Sequence, residues 1–313
     1  MTQRRCVAIL GAGMAGATAA RCLAEAGLDV RVFDKGRCVG GRMATRRVDG
    51  MQFDHGAQFM RAHGSVFAAR LAGWEDRGIV GPWVGAGRRV GVPDMTSPVR
   101  DLLSNLSVAS GTAITRIIRN EASWRLSDGS GREHGPFAAV AITFPAPQIA
   151  ALLAASGFAL AEIEQAAYAP CWSLMLAVER APAEALIEPK EGPIGLIASD
   201  SAKPDRPAGG RLTVHAKPDW SRVHLEAPRE AIVSELSKAA GGCLGSPLSA
   251  SYAQAHRWRF AQVETALGKP CLYDSVLRLG AAGDWCLGPR IEAAHDSGVA
   301  LADAILTDLG RFV

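Results

Sequence analysis

The sequence lacks both a strong charge imbalance and an apolar run long enough to span a membrane. Lys and Arg number 34 and Asp and Glu number 31, so the net charge of +3 gives no basis for binding nucleic acid or an anionic membrane. The most apolar stretch, residues 137–161, is interrupted by Pro145 and Pro147 and predicts a strand followed by a helix. The chain enters its first predicted strand without a cleavable apolar segment. We therefore expect a protein that is not secreted and binds neither membranes nor nucleic acids.

The cysteines follow no pattern that would indicate a metal site or a disulfide framework. The seven cysteines are scattered, their number is odd, and none forms a C-x-x-C pair. Cysteines inside apolar strands and helices are most simply small core residues, so we expect free thiols, no metal and a reducing, cytoplasmic location. The sequence also has no internal repeat, and its 313 residues are enough for two hydrophobic cores.

One segment near the N-terminus has the organisation of a dinucleotide-binding unit. Residues 7–10 are an unbroken apolar run, typical of a buried parallel strand, and Gly11, Gly13 and Gly16 then form the pattern G-x-G-x-x-G. In such a unit the first glycine permits a tight turn and the second lets the backbone approach a pyrophosphate. The third lets the helix pack close to its strand, and the N-terminus of that helix directs free N–H groups at the anion.

The second predicted strand ends in Asp34, eighteen residues after Gly16, where an acceptor for ribose hydroxyls belongs. The alternative is a glycine-rich turn in an ordinary α/β unit, with Asp34 a solvated carboxylate at the end of a strand. Because the spacing and the strand–helix–strand setting agree, we predict that an adenine dinucleotide binds here. The predicted contacts are Gly11, Gly13, Met14, Ala15, Gly16, Asp34 and Lys35.

A second glycine-rich loop decides which dinucleotide is expected. Gly40 and Gly41 would let the loop close over a pyrophosphate, and Arg42 can form paired hydrogen bonds with its oxygens. This G-G-R sequence, with Arg37 just before it, resembles the FAD-binding signature of the flavin amine oxidase superfamily. An ordinary exposed basic loop is the alternative for the two arginines. No cysteine or histidine can be assigned to a covalent flavin link, so we expect FAD to bind noncovalently.

The resemblance becomes more specific in the stretch that follows. The sequences DKGRCVGGRMATRR, from Asp34, and FDHGAQF, from Phe53, are similar to the renalase family, flavoproteins within the same superfamily. Residues 91–95, 213–216 and 256–260 are similar to further stretches of that family. The resemblance implies that Gly56, Ala57, Gln58 and Phe59 pass beside the flavin. A turn between two short strands is the alternative.

The same resemblance assigns FAD contacts in the rest of the chain. A strand that returns to the nucleotide would place Ile114 beside the adenine, with a plain sheet residue as the equal alternative. Gly283 and Asp284 follow a late predicted strand, and the resemblance gives Asp284 a ribityl hydroxyl as its partner. The next helix would offer the N–H groups of Ile291 and Glu292 to the flavin edge that becomes negative on reduction.

These observations predict an α/β fold with two domains. The first is a Rossmann-like FAD-binding domain, discontinuous in sequence and of the GR2 type, formed by residues 1–62, 96–167 and 266–313. The second is an α+β substrate-binding domain on a mostly antiparallel sheet, formed by residues 63–95 and 168–265. Residues 61–95 show no clear hydrophobic period, and the polar loop at 199–210 is expected to be mobile.

Candidates for the substrate pocket are Gln58, Trp172, His215 and Trp258. His215 could face the flavin and hydrogen-bond a substrate amide, although a buried core histidine is the more common case. Trp258 could belong either to the core or to the pocket wall. No catalytic acid or base can be assigned from the sequence.

Departures from the amine oxidases narrow the expected chemistry. Monoamine and polyamine oxidases keep a lysine near flavin N5 and aromatic rings ahead of the last helix, whereas residues 168–179 contain no lysine and residues 287–292 no aromatic ring. The resemblance to bacterial renalases implies an FAD-dependent oxidase of the 2- and 6-dihydro isomers of NAD(P)H. It would pass a hydride to flavin N5, form NAD(P)⁺ and return the electrons to O2 as hydrogen peroxide.

Other functions and the quaternary state stay open at this point. A flavin amine oxidase, a desaturase- or protoporphyrinogen-type oxidase and a non-catalytic FAD-binding protein are the alternatives. We expect a monomer or homodimer whose partners are a dihydronicotinamide dinucleotide and O2. The preference between the NAD and NADP forms is left open.

Overall fold

Two large β-sheets organise the chain, one mainly parallel and one antiparallel. The computed structural model describes residues 5–310. The described strands are β1 (Cys6–Leu10), β2 (Asp29–Phe33), β3 (Thr45–Val48), β4 (Met51–Asp54), β5 (Val80–Pro82), β6 (Arg89–Gly91), β7 (Ser107–Ala109), β8 (Ile114–Asn120), β9 (Ser123–Asp128), β10 (Glu133–Phe137), β11 (Ala139–Ile142), β12 (Ala167–Val178), β13 (Leu186–Ile187), β14 (Ile194–Ser199), β15 (Gly210–Ala216), β16 (Ala250–Thr265), β17 (Leu272–Asp274) and β18 (Leu279–Ala281). The α-helices are α1 (Met14–Glu25), α2 (Ser65–Asp76), α3 (Ser97–Leu102), α4 (Ala146–Ser156), α5 (Pro218–Val223), α6 (Arg229–Leu244) and α7 (Ile291–Leu309).

The mainly parallel sheet has the strand order β17–β18–β11–β1–β2–β7. Strand β1 pairs in parallel with β11 and β2, and β17 runs antiparallel to β18. Val7 and Ile9 belong to a core shared with α1 and α7, whereas Ala8 and Leu10 belong to a second core shared with α4 and β9. Both faces of β1 are therefore covered, as an unbroken apolar run predicts for a central parallel strand.

The antiparallel sheet has the strand order β13–β14–β15–β12–β16, and its two faces differ. Trp172 and Leu174 on β12 pack with buried residues of α6 on one face. Because side chains alternate along a strand, Ser173 points to the opposite face. Ser173 pairs with His215 on β15 and with His256 on β16, so both histidines lie on the face that turns away from α6.

The fold class predicted from the sequence is confirmed. The parallel sheet belongs to a Rossmann-like α/β unit, and a separate, antiparallel sheet packs with helix α6. The strands of the parallel sheet come from residues 6–10, 29–33, 107–109, 139–142 and 272–281, whereas the antiparallel sheet lies within residues 167–265. The exact domain boundaries stay a prediction.

Residues 61–95 contain a helix and a hairpin that the sequence did not reveal. Phe67, Leu71 and Trp74 lie on one side of α2 and are buried in the same core as α1 and α7. Trp83, after strand β5, joins that core. The apolar packing of this segment is thus continuous with the core of the parallel sheet.

The loop at 199–210 differs from the mobile, solvated segment that its polar composition predicted. Asp200 and Lys203 are only 1% and 3% exposed. Lys203 Nζ lies 2.6 Å from Asp200 Oδ1 and 3.1 Å from Asp54 Oδ2. The expectation of a mobile loop is therefore wrong for residues 200–206, which buried ion pairs anchor, whereas residues 207–209 are exposed.

Residues 5–310 contain neither a membrane-spanning helix nor a cluster of metal ligands. None of the helices in this range combines the length and apolar character needed to cross a membrane. The same range brings no three His, Cys, Asp or Glu side chains into an arrangement that could hold a metal ion. All seven cysteines are free thiols.

Candidate active site

A cavity of about 950 Å³ lies at the carboxyl ends of the parallel strands and extends to the antiparallel sheet. Gly11, Asp34, Thr143 and Gly283 line it, and each follows one of the neighbouring strands β1, β2, β11 and β18 within two residues. Ligands of open α/β sheets bind at this edge, because strand ends and the N-termini of the following helices meet there.

The cavity brings together most residues predicted to bind FAD. Those that line it are Gly11, Gly13, Met14, Ala15, Asp34, Lys35, Gly41, Arg42, Gly56, Ala57, Ile114, Gly283, Asp284 and Ile291. The predicted contacts outside its lining are Gly16, Arg37, Gln58, Phe59 and Glu292. Of the candidates for the substrate pocket, His215 and Trp258 line the cavity, whereas the Trp172 indole donates to the His224 backbone oxygen at 2.9 Å on the other face of the sheet.

The three glycines of the first loop have three different surroundings. Gly11 has a φ of +108°, a conformation that favours glycine, and a Cβ there would press on Thr143. A Cβ on Gly16 would overlap the backbone oxygen of Gly11, so α1 can approach β1 only without one. A Cβ on Gly13 would have no atom within 4 Å. Gly13 therefore presents bare backbone to the cavity, which is the surface that a pyrophosphate needs.

Asp34 is held in place by backbone N–H groups. Its Oδ2 accepts from Ala12 N at 2.6 Å and its Oδ1 accepts from Gly36 N at 2.6 Å. An ionised carboxylate has about four acceptor positions. Asp34 therefore keeps acceptor capacity for two further donors, such as ribose hydroxyls, at the edge of the cavity.

Arg42 and Asp284 form a paired ion bridge between the two ends of the chain. The guanidinium donates to Asp284 at 2.8 and 2.6 Å and to the Ala261 backbone oxygen at 3.1 Å. Asp284 is nearly buried, and the two residues are 242 positions apart. The G-G-R loop and the loop after β18 thus meet at one point of the cavity. The Arg42 guanidinium, which can bind an anion, lies there beside the Asp284 carboxylate, which can accept from a hydroxyl group.

The N-terminus of α7 reaches the cavity at Ile291, while the Glu292 side chain turns away from it. The Glu292 carboxylate accepts from the backbone N–H groups of His63 at 2.8 Å and Gly64 at 2.6 Å, just before α2. Glu292 therefore caps a neighbouring helix. The first turn of α7 still has N–H groups without helical partners, as every helix start does.

Gly56 and Ala57 line the cavity because they pack on the backbone of Arg42. A Cβ on Gly56 would overlap the Arg42 backbone oxygen, and Ala57 N donates to that oxygen at 2.8 Å. The side chain of Gln58 points the other way, where its Oε1 accepts from Lys203 Nζ at 2.9 Å. The Gln58 side chain therefore packs against residues that line the cavity but does not face the cavity itself.

The part of the cavity against the antiparallel sheet combines aromatic rings and two histidines with two arginines of β16, Arg257 and Arg259. His256 and Trp258 lie with ring centroids 4.4 Å apart, and the Trp258 indole donates to the His55 backbone oxygen at 2.9 Å. Burial lowers the pKa of His215 to about 4 and that of His256 to about 4, so both are uncharged near pH 7. The Nε2 atom of His215 is buried without a hydrogen-bond partner, which leaves it available to a ligand.

His256, Phe260 and Cys171 line this wall and were not among the predicted site residues. The signal for His256 was present, because alternate residues of a strand share a face and Trp258 therefore implies His256. Phe260 lies where the pairing of β16 with β12 is irregular, so alternation alone does not place it. Cys171 lies opposite Trp258 across the β12–β16 pair. Only the register of the sheet reveals that neighbour.

The lining of this cavity fits a dinucleotide coenzyme such as FAD. The fit rests on the open backbone at Gly13, the carboxylates of Asp34 and Asp284, the guanidinium of Arg42 and the start of α7. The backbone at Gly13 and the Arg42 guanidinium suit a diphosphate, and the two carboxylates suit hydroxyl groups. The start of α7 suits a ring edge that becomes negative on reduction.

Comparisons with known proteins agree with this location. Residues 9–72 match the family described as an NAD(P)-binding Rossmann-like domain. The 4,4'-diapophytoene desaturase (4,4'-diaponeurosporene-forming) of Staphylococcus aureus is 37% identical over 73 residues, which is 22% of this chain and 14% of the desaturase. The zeta-carotene-forming phytoene desaturase of Myxococcus xanthus is 46% identical over 55 residues, 18% of this chain and 11% of that enzyme. The similarity thus spans only a small part of these curated relatives.

Two solved structures are similar over nearly the whole chain. A putative protoporphyrinogen oxidase from Exiguobacterium sp. 255-15 has a TM-score of 0.74 at 12% identity, over 98% of this chain and 100% of that chain. A putrescine oxidase variant redesigned in cofactor binding has a TM-score of 0.68 at 13% identity, over 97% of this chain and 99% of that chain. The chain therefore has the fold of these two oxidases, with a Rossmann-like nucleotide-binding segment at residues 9–72.

Proposed function

We propose that the protein is an FAD-dependent oxidase of dihydronicotinamides, which converts the 2- and 6-dihydro isomers of NAD(P)H to NAD(P)⁺. The observation that carries the proposal is a single cavity that joins the predicted dinucleotide contacts at Gly13 and Asp34 to a wall that carries the neutral His215 and the ring of Trp258. Such a cavity suits a flat isoalloxazine ring with a second flat ring beside it.

FAD would be held noncovalently by groups from both ends of the chain. The backbone at Gly13 and the start of α1 would bind the diphosphate, Asp34 the ribose and Asp284 the ribityl chain. Arg42 would supply positive charge beside the diphosphate, and the first turn of α7 would favour negative charge on the ring edge near Ile291. Bound FAD would supply the redox chemistry, taking a hydride from the substrate and passing two electrons to O2 to give hydrogen peroxide.

The wall residues would bind and orient the substrate ring rather than exchange protons with it. A dihydropyridine donates hydride and has no proton to remove, so the reaction needs no strong general base. A neutral His215 can accept a hydrogen bond from the substrate carboxamide through Nε2 without repelling the cationic pyridinium product. The Trp258 ring lines the cavity, is fixed by its hydrogen bond to the His55 backbone oxygen, and would contact the substrate ring.

The charges of the cavity argue against a protonated amine as the substrate. Among the described residues that line it, the carboxylates are Asp34 and Asp284, both at predicted FAD contacts, and every other charged residue is basic. An ammonium group would therefore find no counter-charge at the wall of the antiparallel sheet. A flavin amine oxidase is still the second candidate, because a putrescine oxidase shares the fold.

The test is a panel of reductants added anaerobically to the purified yellow protein, with flavin absorbance as the readout. We expect rapid bleaching by the 2- and 6-dihydro isomers of NADH and no bleaching by ordinary 4-NADH. Trp258→Leu should slow the bleaching, while Trp172→Phe, which alters a tryptophan on the other face of the sheet, should not. Re-admitted oxygen should restore the yellow colour and release hydrogen peroxide.

Other outcomes would identify the alternatives. Bleaching by a primary or secondary amine, with none by any isomer, would indicate a flavin amine oxidase. Bleaching by an apolar polyene precursor would indicate a desaturase, the activity in the names of the curated proteins that match the N-terminal part. A photoreduced flavin that stays reduced in air would indicate a non-catalytic FAD-binding protein.

A further inference from the structure

Four buried charged side chains form a cluster behind the cavity-lining segment at 56–57. Lys203 Nζ donates to Asp54 Oδ2 at 3.1 Å, to Asp200 Oδ1 at 2.6 Å and to Gln58 Oε1 at 2.9 Å. Arg206 also pairs with Asp54, at 2.7 Å. All four charged side chains are at most 1% exposed, and none lines the cavity. The cluster therefore lies outside every contact proposed above for FAD or substrate.

Stability alone does not account for such a cluster. Taking charges out of water carries a desolvation penalty, and apolar side chains of similar volume commonly give equal or greater stability. Burial would raise the pKa of Asp54, but Lys203 and Arg206 outweigh it and hold that pKa well below its ordinary value. An ammonium group has three donors, and Lys203 directs one to each of three acceptors. The cluster therefore specifies one arrangement of the segments that carry these acceptors.

One of those acceptors leads directly to the cavity. Gln58 Nε2 donates to the backbone oxygen of Asp54 and, at 2.9 Å, to that of Gly56. Gly56 and Ala57 in turn pack on the backbone oxygen of Arg42. The Gln58 amide thus connects the Lys203 ammonium group to Gly56 and Ala57, which line the cavity beside the proposed FAD site.

A second acceptor leads to the opposite wall. Asp200 Oδ2 accepts from Thr213 Oγ1 at 2.7 Å and from Asp54 N at 3.2 Å. Thr213 lies on β15 two residues before His215, so both side chains are on the same face of the antiparallel sheet. The cluster therefore spans from the segment at 56–57 to the strand that carries His215.

We propose that Lys203, acting through Gln58, is a positioning residue that sets the separation between the wall at Gly56–Ala57 and the wall at His215. The inference rests on the proposed function, because this separation would determine how closely the hydride donor approaches the flavin. Hydride transfer is sensitive to misplacement, since reacting atoms must be held near 3–3.5 Å apart. A loss of the ammonium group would relax both walls without removing any group that touches them.

The test compares Lys203→Met and Gln58→Met with the wild type and with a control. The first change keeps the side chain as far as Cε and removes the ammonium group, while the second leaves all four charges of the cluster in place. Leu236→Ala, in the fully buried core between α6 and the antiparallel sheet, lowers stability without touching the cluster and is the control. The readouts are hydrogen exchange of the 55–59 backbone in the FAD-free protein, FAD affinity, the flavin absorption spectrum, and the anaerobic rate of bleaching by the 6-dihydro isomer.

We expect both methionine variants to exchange faster at residues 55–59, to shift the flavin spectrum and to bleach roughly 10- to 100-fold more slowly at saturating reductant. The double variant should be no slower than the slower single variant, because both changes break one connection. If Lys203→Met does not fold, the same readouts on Gln58→Met decide the matter.

Variants that merely melt earlier, as Leu236→Ala should, with unchanged exchange, spectrum and rate, would overturn the inference. A wild-type protein that no dihydronicotinamide bleaches, combined with altered exchange and an altered spectrum in both methionine variants, would remove the proposed function and leave the positioning role intact.

Discussion

Replacing two glycines of the first loop, Gly13 and Gly16, by alanine should separate coenzyme binding from folding. At Gly13 a Cβ would meet no atom within 4 Å, and the backbone angles of −83° and −173° are open to any residue. We expect the FAD-free Gly13→Ala protein to stay within ~1 kcal/mol of wild-type stability. Alanine lowers the entropy of the unfolded chain, which stabilises the fold, but it is a weaker helix cap, and the two effects nearly cancel. The new methyl group would face the diphosphate and should weaken FAD binding by about tenfold or more.

Gly16→Ala should behave in the opposite way. The new Cβ would overlap the Gly11 backbone oxygen and press on Thr143 Oγ1, and no rotamer can relieve an overlap with a backbone atom. Overpacking of this kind costs ~3 kcal/mol at the upper end of its usual range, and alanine regains ~1 kcal/mol of helix propensity. With an unfolding entropy of about 2.1 cal/mol/K for each of the 313 residues, the net loss of ~2 kcal/mol should lower Tm by roughly 3 °C.

Thermal unfolding without FAD and FAD titration by tryptophan fluorescence measure the two effects separately. A Gly13→Ala protein that is strongly destabilised but binds FAD normally would refute the assignment of Gly13 to the diphosphate. A Gly16→Ala protein with wild-type Tm would refute the close approach of α1 to the strand.

Three further predictions concern charged and titrating groups. Asp284→Asn removes the charged partner of Arg42 in a largely buried bridge, so it should cost roughly 1–3 kcal/mol and weaken FAD binding, as thermal unfolding and titration would show; an unchanged Tm would contradict the bridge. The pKa of His215 is lowered by burial from 6.5 to about 4, so its contribution to stability is complete above pH 6.5 and is lost as the pH falls through 4, by up to roughly 3 kcal/mol. Urea unfolding from pH 8 to pH 4 would measure that slope, which His215→Phe should flatten; an equal slope in both proteins would argue against the buried neutral imidazole. Glu292→Ala removes the acceptor of two N–H groups ahead of α2 and should cost about 1–2 kcal/mol, whereas Glu191→Ala at an exposed position should leave Tm unchanged; equal Tm values would show that the cap is unimportant.

The parts of the site that the sequence predicted are those built from neighbouring residues. The surroundings of Gly11, Gly13 and Gly16 follow from one turn between a strand and its helix, so local spacing was enough to predict that turn. The same holds for Asp34, which the end of β2 and two backbone N–H groups fix in place. The fold class could be predicted from the sequence because strands, glycine turns and helices follow one another in a defined order along the chain.

The parts that the sequence missed depend on residues distant along the chain. Period-two alternation places either Cys171 or Trp172 at the cavity, and only the pairing of β12 with β16 decides between them. The loop at 199–210 has the composition of a solvated segment, yet Lys203 is buried because acceptors 145 and 149 positions away surround it. No local pattern reports such a contact.

The bridge between Arg42 and Asp284 has a consequence for how the protein matures during synthesis. Because its two halves are 242 residues apart, a nascent chain that has completed only its glycine-rich loops has one side of the proposed coenzyme site. β18 must first dock between β11 and β17 before the other side exists. Capture of the coenzyme should therefore mark the end of folding, and chains released before residue 284 should emerge colourless.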